Sequence, residues 1–292
     1  MAQALVLFNP SRVGEPSSLR QALGQALDRE GWPAPVFVET DPNGLGGGRL
    51  KQALTEGAEL VFACGGDGTV VAAAEALADT GIPLAVLPSG TGNVLALNLG
   101  VPRDLAAAIQ VGLHGARMQI DLGQEGQRLF TVACGIGFDA RMVAAAPAGA
   151  KRRFGWVAYG LAGLRHLGGP RFEVELTLDG GTPIRRRVQG VLVANVGRLP
   201  GGINLMPRAR PDDGLLDVGL IAPRHVPDWL RLLARAFGGR PEGVLPEHFT
   251  ARRVEVVADS PQPREADGEA LEPSRRLSVA IRSGALSVCV PA

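Results

Sequence analysis

The chain opens with a regular exchange between short apolar runs and stretches with apolar residues at helical spacing. Ala4–Phe8, Val36–Val38, Leu60–Ala63 and Leu84–Leu87 are continuous apolar runs of strand length, the pattern of strands covered on both faces. Between them, Ser17–Arg29, Leu45–Glu56 and Val70–Ala78 read as helices, with Ser17 or Ser18 as N-cap of the first. Val94–Leu99 and Asp104–Gly112 follow as two more. This alternation predicts a mostly parallel sheet between helical layers, a Rossmann-like three-layer α/β domain over residues 1–122.

After Asp121 the texture changes. Arg128–Cys134, Arg171–Leu178, Ile184–Val196, Leu216–Ile221, Arg253–Ala258 and Leu277–Ile281 are strand-like, several with no helix between them. Phe138–Ala146, Phe154–His166 and Val226–Phe237 are the helical exceptions. The pattern predicts a β-rich sandwich domain over residues 123–283. The last run, Ala285–Val290, can rejoin either domain, and 284–292 is a candidate addition to the first.

A length of 292 residues suits two domains. Lys plus Arg is 30 and Asp plus Glu is 29, so the chain lacks the basic excess of a general nucleic-acid binder. Cys64, Cys134 and Cys289 lie far apart and form no disulfide framework or metal pattern, which fits a cytoplasmic protein. The N-terminal AQALVLFNP has no basic leader and reads as a first strand. No apolar run reaches the ~18 residues of a membrane span. Any meeting with a membrane is expected from its surface.

The chemistry is expected at two glycine-rich turns, Gly65-Gly66-Asp67-Gly68-Thr69 and Pro88-Ser89-Gly90-Thr91-Gly92-Asn93. Each follows a predicted strand and precedes a helix. In an open parallel sheet, ligands bind beyond the carboxyl ends of the strands. Glycines admit phosphate close to backbone N–H groups, and a helix N-terminus adds a favourable dipole. The Walker pattern GxxxxGK[ST] is absent, and neither turn completes GxGxxG.

With these motifs the chain resembles the diacylglycerol kinase and sphingosine kinase superfamily. GGDGT at 65–69 resembles the signature of its catalytic domain, shared more distantly with NAD kinases and phosphofructokinases. NP at 9–10, PSGTGN at 88–93, DLG at 121–123, GIGFDA at 135–140, KRRFGWVAY at 151–159, VANVGRLPGGINLMPRARPDDGLLDV at 193–218 and DGE at 267–269 are similar to its further motifs, in the same order.

The resemblance implies ATP and Mg²⁺ as cofactors, with the nucleotide lying between the domains. Asn9, Thr40, Gly65, Gly66, Asp67, Gly68, Thr69, Val70, Val71, Ser89, Gly90, Thr91 and Asn93 would surround it. The Asp213 side chain and the Arg210 and Leu215 carbonyls would hold a structural Mg²⁺. Asp67 and Asp121 would belong to a water-bridged metal network near the phosphates. Asp267 is the favoured proton acceptor and Glu269 the second candidate. The reaction implied is direct transfer of the γ-phosphoryl to the hydroxyl of a lipid alcohol. Diacylglycerol, phosphatidylglycerol and sphingoid bases are the substrate classes. The resemblance further implies peripheral contact with the inner membrane surface and allows a homodimer.

Three departures from the family pattern stand out. Ala72 and Val94 occupy positions where many members carry Glu and Asp, and the first turn reads NPSRVG, with Arg12 as its cation. A soluble-substrate kinase of the NAD-kinase type and a non-catalytic nucleotide binder are the alternative readings. His114, His166, His225 and His248 have no ligand-like spacing and read as surface or packing residues. Arg185-Arg186-Arg187 reads as a solvated face, with anionic headgroups as the sharper alternative.

Overall fold

The structure, a computed structural model, describes residues 3–10, 15–40, 47–55, 57–137, 170–199, 203–223, 228, 245 and 247–292. The chain divides into two units, Met1–Ile120 with Gly284–Ala292, and Asp121–Ser283. The boundary thus falls at Ile120/Asp121 rather than after residue 122.

The first unit holds β1 (Gln3–Phe8), α1 (Pro16–Arg29), β2 (Val36–Glu39), α2 (Gly47–Leu54), β3 (Ala58–Gly65), α3 (Asp67–Leu77), β4 (Leu84–Pro88), α4 (Val94–Asn98) and α5 (Leu105–His114). Its sheet runs β2-β1-β3-β4 with every neighbour parallel. The chain end returns beside β4, Val288 opposite Leu84. Ala4 to Phe8 and Leu60 to Cys64 are all buried, which is why these strands read as unbroken apolar runs. Right-handed crossovers put α1 on one face and α2 and α3 on the other. α1 accordingly packs on α5, and α2 on α3. Gly112 lets α5 sit directly on the sheet, since a Cβ there would stand 2.5 Å from the Phe62 ring.

Two helix starts differ from expectation. Pro16 opens α1, with Glu15 as N-cap. Ser18 is not the cap; its hydroxyl donates to Glu15 Oε2 at 2.9 Å. Helix α3 begins at Asp67, inside the glycine turn, rather than at Val70.

The second unit is antiparallel. Its strands are β5 (Ala116–Glu125, entering from the first unit), β6 (Arg128–Phe130), β7 (Ala133–Gly137), β8 (Phe172–Leu178), β9 (Ile184–Val188), β10 (Gly190–Ala194), β11 (Arg198–Leu199), β12 (Ile203–Asn204), β13 (Leu216–Ile221), β14 (Glu247–Ala251), β15 (Arg253–Ala266) and β16 (Glu269–Val290). The order β14-β13-β10-β7-β15-β16 is extended by β8 and β9 beside β15, with β5 and β6 as a hairpin. Along β15, Val254, Val256 and Ala258 point inward while Glu255, Val257 and Asp259 face out. The inward set joins Phe130, Ile136, Leu176, Val193, Val218 and Leu277 in one core.

The expected strand Ile184–Val196 is broken after Val188 into β9 and β10. β5 and β14 have no counterpart in the sequence reading, and β15 and β16 extend well beyond the expected 253–258 and 277–281. The helices expected at 138–146, 154–166 and, Asp228 apart, 226–237 lie outside the described residues, as does Arg12.

Candidate active site

In the first unit the two glycine turns sit at the carboxyl ends of the adjacent strands β3 and β4 and touch. The Ser89 and Gly90 amides both donate to the Gly65 carbonyl at 3.1 Å. A Cβ on Gly90 would lie 2.5 Å from Gly66 Cα, so the contact is backbone on backbone. Asp67 ties the turns together. Its Oδ1 accepts from the Val94 amide at 2.6 Å and its Oδ2 from the Asn93 amide at 3.0 Å. Burial pushes the Asp67 carboxyl up, against the pull of these two donors. Asn93 closes the second turn in a left-handed conformation, φ 49°. Its Oδ1 accepts from the Gly90 amide and its Nδ2 donates to the Gly90 carbonyl.

The result is a helix start with no cap of its own. The N-cap of α3 is Gly66, which has no side chain to cap the helix, and the Thr69 and Val70 amides turn back to the Gly66 carbonyl at 3.0 and 3.2 Å. Helix α5 differs, its N-cap Asp104 accepting from the Ala107 amide. The positive end of α3 suits an anion.

The other expected nucleotide residues surround this corner unevenly. Thr69 and Val70 are buried in the first turn of α3, Val71 is half-buried, and Gly68, Ser89 and Thr91 are exposed. Asn9 ends β1, its amide donating to the Cys64 carbonyl. Thr40 ends β2 and is 4% exposed, and its hydroxyl has no partner among the described residues.

In the second unit, Asp267 and Gly268 form the two-residue turn between β15 and β16. Both have positive φ, 47° and 77°, as a type I′ hairpin requires. Both Asp267 oxygens are engaged. Oδ2 accepts from the Thr131 amide at 2.7 Å and the Thr131 hydroxyl at 2.9 Å. Oδ1 accepts from the Val132 and Ala133 amides at 2.9 and 3.0 Å. Burial raises this carboxyl to about 6, while the amides of Thr131, Ala133 and Val132 pull it down. Asp179-Gly180, in the longer 179–183 connection of β8 to β9, shares the positive φ pair, 51° and 73°, and Asp179 Oδ1 accepts from the Arg252 and Arg253 amides. Glu269 is different. Its side chain is 53% exposed, and Oε2 is engaged by Arg128 Nη2 at 2.6 Å.

The 210–215 turn lies in the same unit. Arg210 folds back on Asp212 through two bonds of 3.1 Å. Asp213 is exposed, with Oδ1 accepting from the Leu215 amide. Asp121 is 2% exposed, and its Oδ2 accepts from the Gly214 amide at 2.6 Å. Asp212 and Asp213 are both exposed, and with Asp212 held by Arg210, Asp213 is left as a carboxylate that fits a largely hydrated hard cation. No cluster of three or more His, Cys, Asp or Glu occurs among the described residues.

Residues 3–125 match the diacylglycerol kinase catalytic domain, and residues 132–290 match the YegS C-terminal NAD kinase beta sandwich-like domain. A Pseudomonas putida protein named "Probable lipid kinase YegS-like" is 34% identical over 99% of this chain and 95% of its own. The chain belongs to the diacylglycerol kinase-like lipid kinase family.

A diacylglycerol kinase of Bacillus subtilis is 28% identical over 92% of the chain and 90% of its own length. The crystal structure of a Bacillus anthracis diacylglycerol kinase superposes with a TM-score of 0.80 at 22% identity, covering 99% and 96% of the two chains. The chain spans about half of one longer relative, a Synechocystis protein of 29% identity, 53% of which is matched. Family membership makes the protein a phosphotransferase of the lipid kinase type.

Two departures from the lipid kinase pattern find their place here. Ala72 is buried on α3, and the Val94 amide serves Asp67. Other residues change their reading. His248 is no bare packing residue: its Nε2 lies 2.6 Å from Asp217 Oδ1, and Asp217 is 2% exposed. Burial raises the Asp217 carboxyl, with His248 acting against it. Arg185 pairs with Glu175 and Arg186 with Glu247, so two of the three arginines are matched within the protein. Arg103 escaped the sequence reading because no motif marks it. It lies beyond α4, and its Nη2 reaches the Gly90 carbonyl at 3.3 Å. The three cysteines are free and buried, and burial pushes Cys64 and Cys289 up to about 11.

Proposed function

We propose that the protein transfers the γ-phosphoryl of Mg-ATP to the hydroxyl of a membrane-derived lipid alcohol such as diacylglycerol. The uncapped start of α3, locked against the second glycine turn by Asp67, is the observation that carries this reading. It would present the fixed positive end of a helix to phosphate, and a preorganised dipole requires no rearrangement as charge moves during transfer. Thr40, whose hydroxyl has no partner among the described residues, and Arg103, which reaches the Gly90 carbonyl, are proposed to contact the nucleotide.

In the DGE turn the roles divide. Asp267 was the favoured proton acceptor on sequence. Four donors already occupy it, and the parallel with Asp179 supports a turn-building role. Glu269, exposed and paired with Arg128 through Oε2, is proposed as the group that takes the alcohol proton. The 210–215 turn would hold Mg²⁺ through Asp213 and the carbonyls of Arg210 and Leu215. The ion would fix that turn. No described helix is long and apolar enough to cross a membrane, and lipid is proposed to be reached from the membrane surface.

The test is a parallel assay with γ-labelled ATP and Mg²⁺, offering a total lipid extract in one arm and NAD in the other. Label in the lipid fraction supports the proposal. Labelled NADP, or ATP binding without product in either arm, overturns it.

A further inference from the structure

Asn195 follows β10 and is completely buried, 0% exposed. Its Nδ2 donates to two carbonyls, that of Asp121 at 2.8 Å and that of Thr131 at 3.1 Å. Asp121 lies on β5 and Thr131 directly follows β6, at the open end of the β5–β6 hairpin, where Gly123 faces Phe130. The amides of Asn195 and Val196 both donate to the Val132 carbonyl. Its Oδ1 has no partner among the described residues. A buried amide with an unmet acceptor is costly, and packing alone would be served by an apolar residue of similar size.

Each carbonyl that Asn195 holds belongs to a segment that grips a different turn. On one side Asp121 takes the Gly214 amide with its carboxylate and gives its own amide to the Pro211 carbonyl. On the other side Thr131 gives amide and hydroxyl to Asp267, followed by the Val132 and Ala133 amides. The Asp267 amide returns a bond to the Ala133 carbonyl. A continuous hydrogen-bonded path therefore runs from the 211–214 turn through Asp121, Asn195 and Thr131 to the 267–269 turn. The Asn195 side chain touches both halves.

We infer that Asn195 is a positioning residue that couples the 210–215 turn to the Asp267–Glu269 turn, so that order in one fixes the other. The inference rests on the reading of 267–269 as the catalytic turn. The coupling itself does not.

The experiment compares wild type with Asn195→Ala and with Asn195→Ser, which keeps one donor, by amide hydrogen exchange and steady-state kinetics. A local defect ends at residues 121, 131 and 132, which Asn195 touches. Coupling instead predicts exchange faster by about tenfold at both Gly214 and Asp267. It also predicts turnover lower by about tenfold or more, with KM for ATP within about twofold of wild type. If Asn195→Ala does not fold, Asn195→Ser is read against the same criteria. Exchange unchanged at either turn in the folded variant overturns the inference, as does loss of thermal stability with full turnover per folded molecule. Coupled exchange in a protein that phosphorylates no lipid sustains the coupling and removes the functional reading instead.

Discussion

Substituting Gly90 by Ala tests the closed contact between the two glycine turns. Gly90 does not have the positive φ that restricts L residues, so the backbone accepts Ala and only space is at stake. The new Cβ would stand 2.5 Å from Gly66 Cα, where ordinary contact begins at 3.4 Å, so the turns must part by about 0.9 Å (3.4 − 2.5). That would stretch the 3.1 Å bonds from Ser89 and Gly90 to the Gly65 carbonyl to about 4 Å, past hydrogen-bonding distance. Overpacking costs about 1–3 kcal/mol and each lost bond about 1 kcal/mol. The sum is about 4 kcal/mol, a fall in unfolding midpoint on the order of 10 °C. Thermal unfolding and the KM for ATP are the readouts, and both should worsen. Gly24→Ala is the control: nothing lies within 4 Å of its Cβ position in α1, and Ala there should stabilise by about 0.5–1 kcal/mol. Gly90→Ala within 1 kcal/mol of wild type would refute the packing argument.

Three further outcomes are expected. Asp67→Asn sets an amide donor against one of the two backbone amides now bonded to the carboxylate; it should cost about 2 kcal/mol and raise the KM for ATP, and unaltered ATP kinetics would count against the role given to Asp67. His248→Leu strands the buried Asp217 carboxylate and should cost about 3 kcal/mol by urea unfolding; a neutral effect would show that the pair contributes nothing. Burial raises the Asp267 carboxyl from 3.8 to about 6, so in that window the folded protein keeps a proton that the unfolded chain has released. This contribution to stability is complete below the lower value and lost above the higher one. Wild type should therefore lose about 2 kcal/mol relative to Asp267→Asn between pH 4 and pH 7, and a pH-independent difference would contradict burial as the dominant influence.

Much of the first unit was legible because its strands are covered on both faces and its turns are made of glycine. Leu60–Ala63 running into Gly65-Gly66 left few alternatives, and β3 contains that run and extends it to Ala58 and Gly65. The second unit was harder. Outward residues of β15 and β16 are charged, as in Glu255, Arg275 and Arg276, and a register shift between Val257 and Gln262 interrupts the alternation. Long strands therefore read as short ones. β14 is short, and Glu247 to Phe249 are only half-buried, so periodicity says little. The acidic turn was found, but the engagement of Asp267 was not. Its donors come from residues 131–133, far away in sequence, and nothing local in Asp-Gly-Glu distinguishes a carboxylate that builds its turn from one that is free to react. The Asp217–His248 pair was hidden for the same reason, since only the register of β13 against β14 brings the two residues close.

The most direct measurement follows the γ-phosphoryl from ATP into dioleoylglycerol in mixed micelles with Mg²⁺, for wild type and Glu269→Gln. Label should appear in the extracted lipid with wild type, and be lost with the variant while its affinity for ATP is retained. Equal labelling by the two proteins, or label that never leaves the aqueous phase with wild type, would contradict the account.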